Sequence, residues 1–518
     1  MDRRPRTLPD SLARRVAATP DATAFVTADR RVTYADLDHA SEQVAAALTA
    51  DGIKPGSRVA HLGRESERYY EVLLGCAKAH VVLVPVNWRL TAPETGHILG
   101  DSEAQLVFCD REFADSGIPA GTAARVLALD DAGPDGYQAW KEAAPCRTDA
   151  APPAGPDDPV VQMYTSGTTG LPKGVVLAHR SFFAVRHALA DAGLDWIDWR
   201  ADDITLLSVP GFHIGGLWWA AQALDEGVPV VLMPAFTPGA ALRAIREHAV
   251  TTLCMVPAML RAVLGEPGTA AADFARIRKV VYGGSPMPEA LLARCVEVMG
   301  CEFAQIYGLT ETGNTAVCLP PRDHAPGAPR LRAAGRPYPG FAVKVVGDDE
   351  RALAPGEIGE VWLRSPARML GYWHRPDADA ETLVGDWIRT GDAGFLDADG
   401  YVHLHDRVKD MIISAGENIY PAEIENALAA HPGVADAAVI GVPDDRWGEA
   451  VHAFVVAADP GSPPAPADLS RFLRGRLAPF KLPARYVFVE SVPRNPSGKA
   501  LRRELRAPYW RDRERNVN

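Results

Sequence analysis

The chain has 518 residues, of which 47% are hydrophobic and 23% are charged, so its composition is that of a globular protein and excludes a disordered or fibrous one. Its formal net charge is −12, which argues against a nucleic-acid-binding protein, because contacts with phosphate backbones need a net basic face. The seven cysteines are scattered and never spaced as CxxC, which disfavours a disulfide framework or a zinc site.

No segment of the sequence predicts secretion or membrane insertion. Residues 1–15 are arginine-rich but are not followed by the apolar stretch of a secretory signal. The longest apolar stretches, such as residues 228–236, are far shorter than the roughly 18 residues that a membrane helix requires. We therefore expect a cytoplasmic protein with no integral membrane segment and no nucleic-acid partner.

The first part of the chain alternates between helix-like and strand-like segments. In chain order these are a helix at 41–48, a strand at 58–62, a helix at 66–79 and strands at 81–86 and 160–164. The alternation resumes from residue 204 and continues to about residue 316. Such a rhythm indicates an α/β fold with doubly wound layers and largely parallel sheets.

The pattern changes after residue 335. Short strands broken by Gly, Pro and Asp, at 342–346, 359–363 and 401–405, predict an antiparallel, barrel-like subdomain over about 335–406. The remainder predicts a compact α+β unit, with helices at 423–430 and 469–477 and strands at 435–442, 451–456 and 485–488.

A loop with the sequence YTSGTTGLPKG occupies residues 164–174, directly after the strand at 160–164. Its glycines, hydroxyl side chains and backbone N–H groups can wrap a polyphosphate, and Lys173 adds a positive charge. It is not a Walker A loop, because Pro172, Lys173 and Gly174 stand where that pattern needs Gly, Lys and Ser or Thr. Taken alone, the loop could equally be a polar surface loop.

Four further motifs follow this loop. They are QIYGLTE at 305–311, WIRTGDAG at 387–394, DRVKDMIISAGENIYPAEIE at 406–425 and PRNPSGK at 493–499. Taken one at a time, Asp392 is typical of a turn, Arg407 of a surface cation and Lys499 of a solvated lysine. In this order and spacing, however, the five motifs closely resemble the adenylate-forming superfamily, which includes acyl-CoA synthetases, nonribosomal adenylation domains and beetle luciferase. The resemblance covers nearly the whole chain, from about Ser11 onward.

The resemblance implies a large N-terminal domain, residues 1–406, and a small mobile C-terminal domain, residues 407–518, with a hinge near Lys409. It implies ATP, Mg²⁺ and coenzyme A as cofactors of two half-reactions. First, a carboxylate attacks the α-phosphate of Mg-ATP and gives acyl-AMP and pyrophosphate. Second, a thiol attacks the acyl-AMP carbonyl and releases AMP.

The resemblance also implies roles for single residues. Glu311 is the expected Mg²⁺ ligand, a hard oxygen donor suited to that ion, and Lys499 is expected to bridge the acyl carboxylate and the α-phosphate. The residues expected to hold the β- and γ-phosphates are Thr165, Ser166, Gly167, Thr168, Thr169 and Lys173. Those expected around the adenosine are Gly283, Gly284, Ser285, Tyr307, Gly308, Thr310, Asp392 and Arg407. The predicted catalytic residues are Lys499, Glu311, Thr165 and His213.

The C-terminal domain is expected to swing between two poses about the hinge at Lys409. In the second pose Gly416 would line the pantetheine tunnel, where only a residue without Cβ lets the thiol pass. The superfamily commonly has GGEN at this loop, whereas this chain has Ala415 before Gly416. Since the change lies before the tunnel position, we expect it to be tolerated. Asp406 likewise replaces the usual glycine before Arg407.

The segment VPGFHIGG, residues 209–216, resembles the acyl-pocket segment of the superfamily. His213 is expected to border the acid carboxylate or the tunnel mouth, although a packed core histidine is the alternative. Trp218 and Trp219 are neighbours on a predicted helix, so at most one would face the pocket. The glycines taken to leave room for a medium-chain, long-chain, polycyclic or aryl acid rather than acetate are those at 211, 215, 216, 283 and 284. His403 and His405 alternate on a strand and are expected to be structural rather than metal ligands.

Several alternatives stay open at this point. The sequence favours an acyl-CoA ligase that uses a hydrophobic carboxylic acid. A stand-alone adenylation enzyme that loads a carrier protein is the near alternative, and an enzyme specialised for one half-reaction is another. A non-catalytic protein that binds acyl-adenylates is disfavoured, because a binder has no reason to keep the group that acts on the transition state. The oligomeric state is also open, with a homodimer among the options.

Overall fold

The structure is a computed structural model. It describes residues 4–145, 153–165, 172–285, 287–325, 327–328, 330–347, 349–407, 410–414, 417–444, 448–474, 476–477, 479–494 and 500–511. The strands are β1 (Thr23–Val26), β2 (Arg31–Thr33), β3 (Arg58–Leu62), β4 (Val82–Pro85), β5 (Leu106–Cys109), β6 (Arg125–Ala128), β7 (Pro159–Thr165), β8 (Lys173–Ala178), β9 (Thr205–Leu207), β10 (Val230–Leu232), β11 (Thr252–Met255), β12 (Lys279–Gly283), β13 (Glu302–Tyr307), β14 (Val317–Leu319), β15 (Arg336–Pro337), β16 (Ala342–Val346), β17 (Gly359–Arg364), β18 (Gly371–Tyr372), β19 (Leu383–Val384), β20 (Trp387–Leu396), β21 (Val402–Arg407), β22 (Ile412–Ser414), β23 (Glu417–Ile419), β24 (Val434–Asp444), β25 (Gly448–Ala457) and β26 (Arg485–Phe488).

The helices are α1 (Leu8–Ala18), α2 (Tyr34–Ala50), α3 (Glu67–Lys78), α4 (Ala92–Asp101), α5 (Arg111–Gly117), α6 (Tyr137–Glu142), α7 (Ala184–Asp191), α8 (Ile214–Glu226), α9 (Pro238–Glu247), α10 (Pro257–Gly265), α11 (Glu289–Met299), α12 (Pro376–Thr382), α13 (Pro421–Ala429), α14 (Pro466–Arg474) and α15 (Arg502–Arg506).

Two large sheets form the first part of the chain. One has the strand order β18-β8-β7-β4-β3-β5-β6, and the other has the order β15-β14-β13-β12-β11-β9-β10-β1-β2. Their central strands pair in parallel, and antiparallel pairs lie toward the edges. Strands such as β3 and β12 are buried along their whole length, as expected for parallel strands with helices on both faces.

Local sequence sets where the helices begin and how closely they pack. Thr33 caps the N-terminus of α2 by accepting a hydrogen bond from the N–H of Asp36, whose carboxylate bonds back to the Thr33 N–H. α2 packs against α3 at Gly75, where an added Cβ would lie 2.4 Å from Cγ1 of Val44. The small residue therefore lets the two helices approach and fixes α3 beside the sheet that contains β3.

A third sheet is antiparallel, with the order β16-β17-β20-β19 and with β21 paired to β20. A fourth sheet, β23-β22-β25-β24 with β26 paired to β25, belongs to the C-terminal α+β unit and has its own hydrophobic core. The predicted α/β fold class is confirmed. The domain boundary at residues 406 and 407 stays a prediction, and it lies at the end of β21.

Among the helices that the structure describes, none combines the length and the apolar character needed to cross a membrane.

Candidate active site

The predicted phosphate loop is closed at its base by two antiparallel strands. β7 leads into the loop and β8 leads out of it, and Thr165 is the direct pairing partner of Lys173. The loop residues Ser166, Gly167, Thr168 and Thr169 lie outside the described residues. The structure thus brings Thr165 and Lys173 together at the neck of the loop.

Polar contacts hold the neck of the loop. Tyr164 donates its hydroxyl hydrogen to Asp101 over 2.7 Å, and the Gln162 side-chain amide donates to the Tyr164 oxygen over 3.0 Å. Gly174 lies directly against this pair, since an added Cβ would be 2.7 Å from Nε2 of Gln162. Arg375 forms an ion pair with the same Asp101. These contacts therefore hold the residues at both ends of the loop in fixed positions.

Tyr372 joins Lys173 to Glu311, and the sequence motifs did not single it out. The Tyr372 hydroxyl donates a hydrogen bond of 2.8 Å to Oε1 of Glu311, and Nζ of Lys173 lies 5.4 Å from the centroid of the tyrosine ring. Burial raises the pKa of Tyr372, and the Glu311 charge adds to this, so the hydroxyl keeps its proton. Strand β18, which carries Tyr372, pairs with β8, which carries Lys173.

Glu311 lies in a short turn of 3₁₀ helix, Thr310–Thr312, that follows β13. The turn is pinned because Thr312 Oγ1 accepts the Leu309 N–H over 2.8 Å, and the Glu311 carbonyl accepts the Met369 N–H over 2.8 Å. Gly308 has no room for a side chain, since an added Cβ would lie 2.6 Å from the Asn314 carbonyl oxygen. The carboxylate is therefore held by its backbone as well as by Tyr372.

The donor set at Glu311 fits a magnesium ion bound together with phosphates. The Oε2 oxygen of Glu311 has no hydrogen-bond partner among the described residues. No cluster of three metal-ligating side chains occurs within the described ranges. Mg²⁺ is commonly bound by one or two carboxylates plus substrate phosphates rather than by a cage of side chains, and Lys173 marks where those phosphates would lie.

Of the residues predicted to surround the adenosine, the structure brings Tyr307 and Asp392 together. The Tyr307 hydroxyl donates a hydrogen bond of 2.7 Å to Oδ2 of Asp392. The turn before Asp392 is fixed by two contacts: Thr390 Oγ1 accepts the Asp392 N–H over 3.0 Å, and Glu360 accepts the Gly391 N–H over 3.0 Å. The backbone of Arg407 pairs with Asp392 across β20 and β21, while the Arg407 side chain lies outside the described part.

Gly283, Gly284 and Ser285 lie at the carboxyl end of β12, next to the end of β13 that carries Tyr307. An added Cβ at Gly283 would lie 2.4 Å from the Ile306 carbonyl oxygen, so this glycine is required by the close approach of the two strands. Gly284 has a φ of +80°, which favours glycine. The crevice outside the carboxyl ends of parallel strands is where open α/β sheets bind ligands.

His213 stands at the N-terminus of α8 and has an unusual environment. Its Nε2 is buried and has no hydrogen-bond partner among the described residues. Burial, together with the charge of Arg89, lowers the pKa of His213 to about 4, so the ring is neutral at pH 7. The ring packs beside that of Phe212, with centroids 4.6 Å apart.

The prediction that five glycines leave room for the acid is wrong at three of them, Gly211, Gly216 and Gly283. An added Cβ would lie 2.7 Å from the Tyr69 ring at Gly211 and 2.2 Å from the Val209 carbonyl at Gly216, and Gly283 is equally crowded. These glycines therefore allow close packing and do not leave volume. Gly215 is different, because its nearest neighbour would be Oδ1 of Asn314 at 3.7 Å.

Trp218 and Trp219 both belong to the hydrophobic core. Trp218 is 1% exposed and Trp219 is 2% exposed, and Trp219 donates its indole hydrogen to Thr205 Oγ1 over 2.8 Å. Their burial is compatible with the expectation that at most one of them faces the pocket. His403 donates its Nε2 hydrogen to Oδ2 of Asp397 over 3.1 Å, and His405 stacks on Tyr420.

Sequence reasoning missed two residues beside the segment 209–216. Asn314 has a φ of 90°, and its Nδ2 is buried with no hydrogen-bond partner among the described residues. The preceding Thr312 and Gly313 indicate a left-handed turn in the sequence, but they do not indicate a binding site. Glu65 is a buried carboxylate in contact with Gly211, and no motif marks it. Lys409, Gly416 and Lys499 lie outside the described residues.

Comparison with protein families identifies two regions of likeness. Residues 12–373 match the AMP-binding enzyme family, and residues 423–499 match the AMP-binding enzyme C-terminal domain.

Individual proteins extend the likeness over nearly the whole chain. The fatty acid–[acyl-carrier-protein] ligase ScoC of Streptomyces coeruleorubidus is 59% identical over 502 residues, which cover 96% of either chain. The feruloyl-CoA synthase of an Amycolatopsis species is 39% identical over 96% of this chain and 98% of its own length. The crystal structure of ATP-bound MatB from Rhodopseudomonas palustris superposes with a TM-score of 0.87 at 31% identity and covers 97% of this chain and 99% of that one.

Proposed function

The chain belongs to the AMP-binding enzyme family and is an adenylate-forming acid–thiol ligase, and from this premise we propose that it thioesterifies a hydrophobic carboxylic acid in two steps. First, a carboxylate oxygen of the acid attacks the α-phosphorus of ATP, and the bond to pyrophosphate breaks. Second, a thiol sulfur attacks the acyl carbonyl, and AMP leaves. The observation that carries the proposal is the joint placement of Lys173, Tyr372 and Glu311 at the neck of the phosphate loop.

The first step needs charge neutralisation and alignment, because an anion attacks a polyanion. Lys173 and Thr165, which pair across β7 and β8, are proposed to bind the β- and γ-phosphates, and Tyr372 donates a hydrogen bond to Glu311. A Mg²⁺ ion on Glu311 would supply further neutralisation of the phosphate charge. Lys499, which the motif places on the C-terminal tail, would stabilise the charge that develops between the acid and the α-phosphate.

The nucleoside is proposed to lie between the end of β12 and the Tyr307–Asp392 pair. A fixed carboxylate such as Asp392 can accept hydrogen bonds from both ribose hydroxyls. Tyr307 is anchored by its hydroxyl on Asp392, which leaves a ring face for the adenine. Tyr307 and Glu311 leave β13 on one short segment, so the nucleoside and phosphate ends of ATP would be bound by neighbouring residues.

The acid is proposed to bind beside His213, Gly215 and Asn314. Gly215 has room for a Cβ, whose nearest neighbour would be 3.7 Å away, and this is compatible with an acid larger than acetate, as are the fatty acid and the feruloyl group in the names of the two relatives. The neutral imidazole of His213 and the amide of Asn314 both have a buried nitrogen without a partner in the described chain. Buried polar groups are expected to be paired, and a bound acid or acyl carbonyl would provide that pairing.

Two thiol acceptors are proposed for the second step. Coenzyme A is favoured by the sequence GENIYPAEIE at residues 416–425 and is the acceptor in the name of the 39% identical relative. A carrier-protein phosphopantetheine is the second candidate, and the 59% identity to an acyl-carrier-protein ligase favours it. Both present the same pantetheine thiol, so they differ only in what lies outside the tunnel.

Three assays test these steps separately. Acid-dependent exchange of radiolabelled pyrophosphate into ATP, measured without a thiol, tests adenylation. Preformed acyl-AMP with coenzyme A, or with a phosphopantetheinylated carrier protein, tests transfer, and the ratio of the two kcat/KM values identifies the acceptor. Exchange without transfer to either thiol would identify an enzyme of the first half-reaction. Binding of acyl-AMP without exchange or transfer would identify a non-catalytic binder and overturn the proposal.

A further inference from the structure

Glu65 is a buried carboxylate that the proposed chemistry does not use. It is 6% exposed, lies between β3 and α3, and has no basic partner among the described residues. Burying an ionised group without a counter-charge is costly unless hydrogen bonds compensate. The contacts of its two oxygens therefore indicate what it does.

Both oxygens of Glu65 accept hydrogen bonds. Oε2 accepts the backbone N–H of Gly211 over 2.7 Å, and Oε1 accepts the hydroxyl hydrogen of Tyr70 over 2.7 Å. Gly211 is 146 residues away along the chain, in the loop between β9 and α8. The carboxylate thus ties the start of α3 to the segment that leads into His213.

Tyr69 holds the same glycine from a second direction. Its hydroxyl donates a hydrogen bond of 2.8 Å to the Gly211 carbonyl, and its ring occupies the space where a Cβ at Gly211 would lie, 2.7 Å away. Both backbone groups of Gly211 are therefore bound by residues of one short segment, Glu65 and Tyr69. Gly211 is followed after one residue by His213, whose Nε2 is buried and free of partners in the described chain.

We propose that Glu65 is a positioning residue for acid binding, which together with Tyr69 clamps Gly211 and thereby fixes His213 at the acid. The inference rests on the proposed function, which places the acid beside His213. It predicts that loss of the clamp weakens binding of the acid and leaves binding of ATP unchanged. The reason is that the phosphate and nucleoside contacts come from β8, β13, β18 and β20, none of which the clamp touches.

The pH dependence of acid binding is a readout that a merely structural role would not move. Burial raises the pKa of Glu65 to about 7, so the carboxylate loses an acceptor oxygen as the pH falls through neutrality. The neighbouring titratable groups do not change charge there. Burial raises the pKa of Tyr69 and Tyr70 well above their usual range, and it lowers that of His61 to about 3 and that of His213 to about 4. We expect the KM for the acid to rise between pH 8 and pH 6, where the acid itself stays ionised.

The test compares Glu65→Ala, Glu65→Gln and Tyr69→Phe with Glu71→Gln as matched control. Glu71 is 3% exposed and lies on α3, the helix that carries Tyr69, but it bonds to Tyr137 and Lys141, away from the loop. In pyrophosphate exchange, Glu65→Ala and Tyr69→Phe should raise the KM for the acid about tenfold, the loss expected for one buried hydrogen bond. The KM for ATP should stay within about twofold, Glu71→Gln should leave both constants unchanged, and Glu65→Gln should abolish the rise at low pH.

Hydrogen–deuterium exchange of a peptide that spans residues 206–214 tests the clamp independently of catalysis. It should exchange faster in Glu65→Ala and Tyr69→Phe than in the wild type and in Glu71→Gln. Equal rises in both KM values, an equal effect of Glu71→Gln, or unchanged exchange of the peptide would overturn the proposal. If Glu65→Ala does not fold, Tyr69→Phe and the pH profile of Glu65→Gln decide. A wild type without acid-dependent pyrophosphate exchange would instead overturn the proposed function, and peptide exchange would still test the clamp.

Discussion

The proposed nucleotide side and the proposed acid side of the site are built in different ways. On the proposed nucleotide side, polar side chains are paired with one another: Tyr307 bonds to Asp392, and Tyr372 bonds to Glu311. On the proposed acid side, His213 and Asn314 keep buried nitrogens without a partner in the described chain. Buried polar groups are expected to be paired, so the acid proposed to bind there would complete that pairing.

The largest expected effect is on the adenylation step. Lys499→Ala should lower acid-dependent pyrophosphate exchange about a thousandfold, because it removes a charge aimed at the transition state. Transfer of the acyl group from preformed acyl-AMP to the thiol should be largely kept, since that step needs no α-phosphate activation. Lys54→Ala, at an exposed position, is the control. Unchanged thioester formation from free acid and ATP in Lys499→Ala would show that the role assigned to this lysine is wrong.

The second largest expected effect is on the pH dependence of the free energy of unfolding, and it arises from Glu65. Burial raises the pKa of Glu65 from 4.5 to about 7, so the stability that its protonation contributes is complete below pH 4.5 and is lost as the pH rises through 7. This loss amounts to about 3 kcal/mol, and Glu65→Gln removes it. Urea unfolding at pH 5, 6, 7 and 8 should show the variant gaining stability relative to the wild type as the pH rises. The buried histidines titrate alike in both proteins, so a difference independent of pH would mean that Glu65 has an ordinary pKa.

A smaller effect tests whether Tyr372 orients Glu311. Tyr372→Phe should raise the KM for ATP about tenfold at low Mg²⁺ and less at high Mg²⁺, because it removes one hydrogen bond to a charged group. The KM for the acid should not change. Tyr401→Phe is a matched control, since Tyr401 is buried and donates a comparable hydrogen bond of 2.8 Å to Asp323, in a different part of the fold. An equal rise for both substrates would identify Tyr372 as a general structural residue.

The contrast between the two sides also explains what the sequence predicts. Strands β3, β16 and β26 have the predicted bounds, because each is a short, mainly apolar segment with Gly or Pro close to its ends. The residues expected to bind the nucleotide could be proposed from the sequence because they occur in motifs with fixed spacing. The roles expected of Glu311, Asp392 and Lys173 nevertheless remain predictions, although the structure brings their neighbours together.

The acid side could not be predicted in the same way. The bond between Glu65 and Gly211 joins residues that are 146 positions apart, and neither lies in a recognisable pattern. A glycine in a sequence also does not show whether it leaves space or permits close packing. Gly211 and Gly215 are two positions on either side of His213 and play opposite parts, which only the neighbouring Tyr69 ring and Asn314 side chain reveal.

The smallest expected effect tests the difference between Gly211 and Gly215. Gly215→Ala should lower kcat/KM for long or aryl acids about fivefold relative to acetate, because one buried methyl group excludes acid volume worth about 1 kcal/mol. The variant should fold, since the nearest atom to an added Cβ is 3.7 Å away. Gly100→Ala, on α4 with nothing within 4 Å of the added Cβ, is the control. A substrate panel that is unchanged in Gly215→Ala would place the acid elsewhere. A panel that shifts toward small acids would show that Gly215, and not the crowded Gly211 or Gly216, sets the size of the substrate.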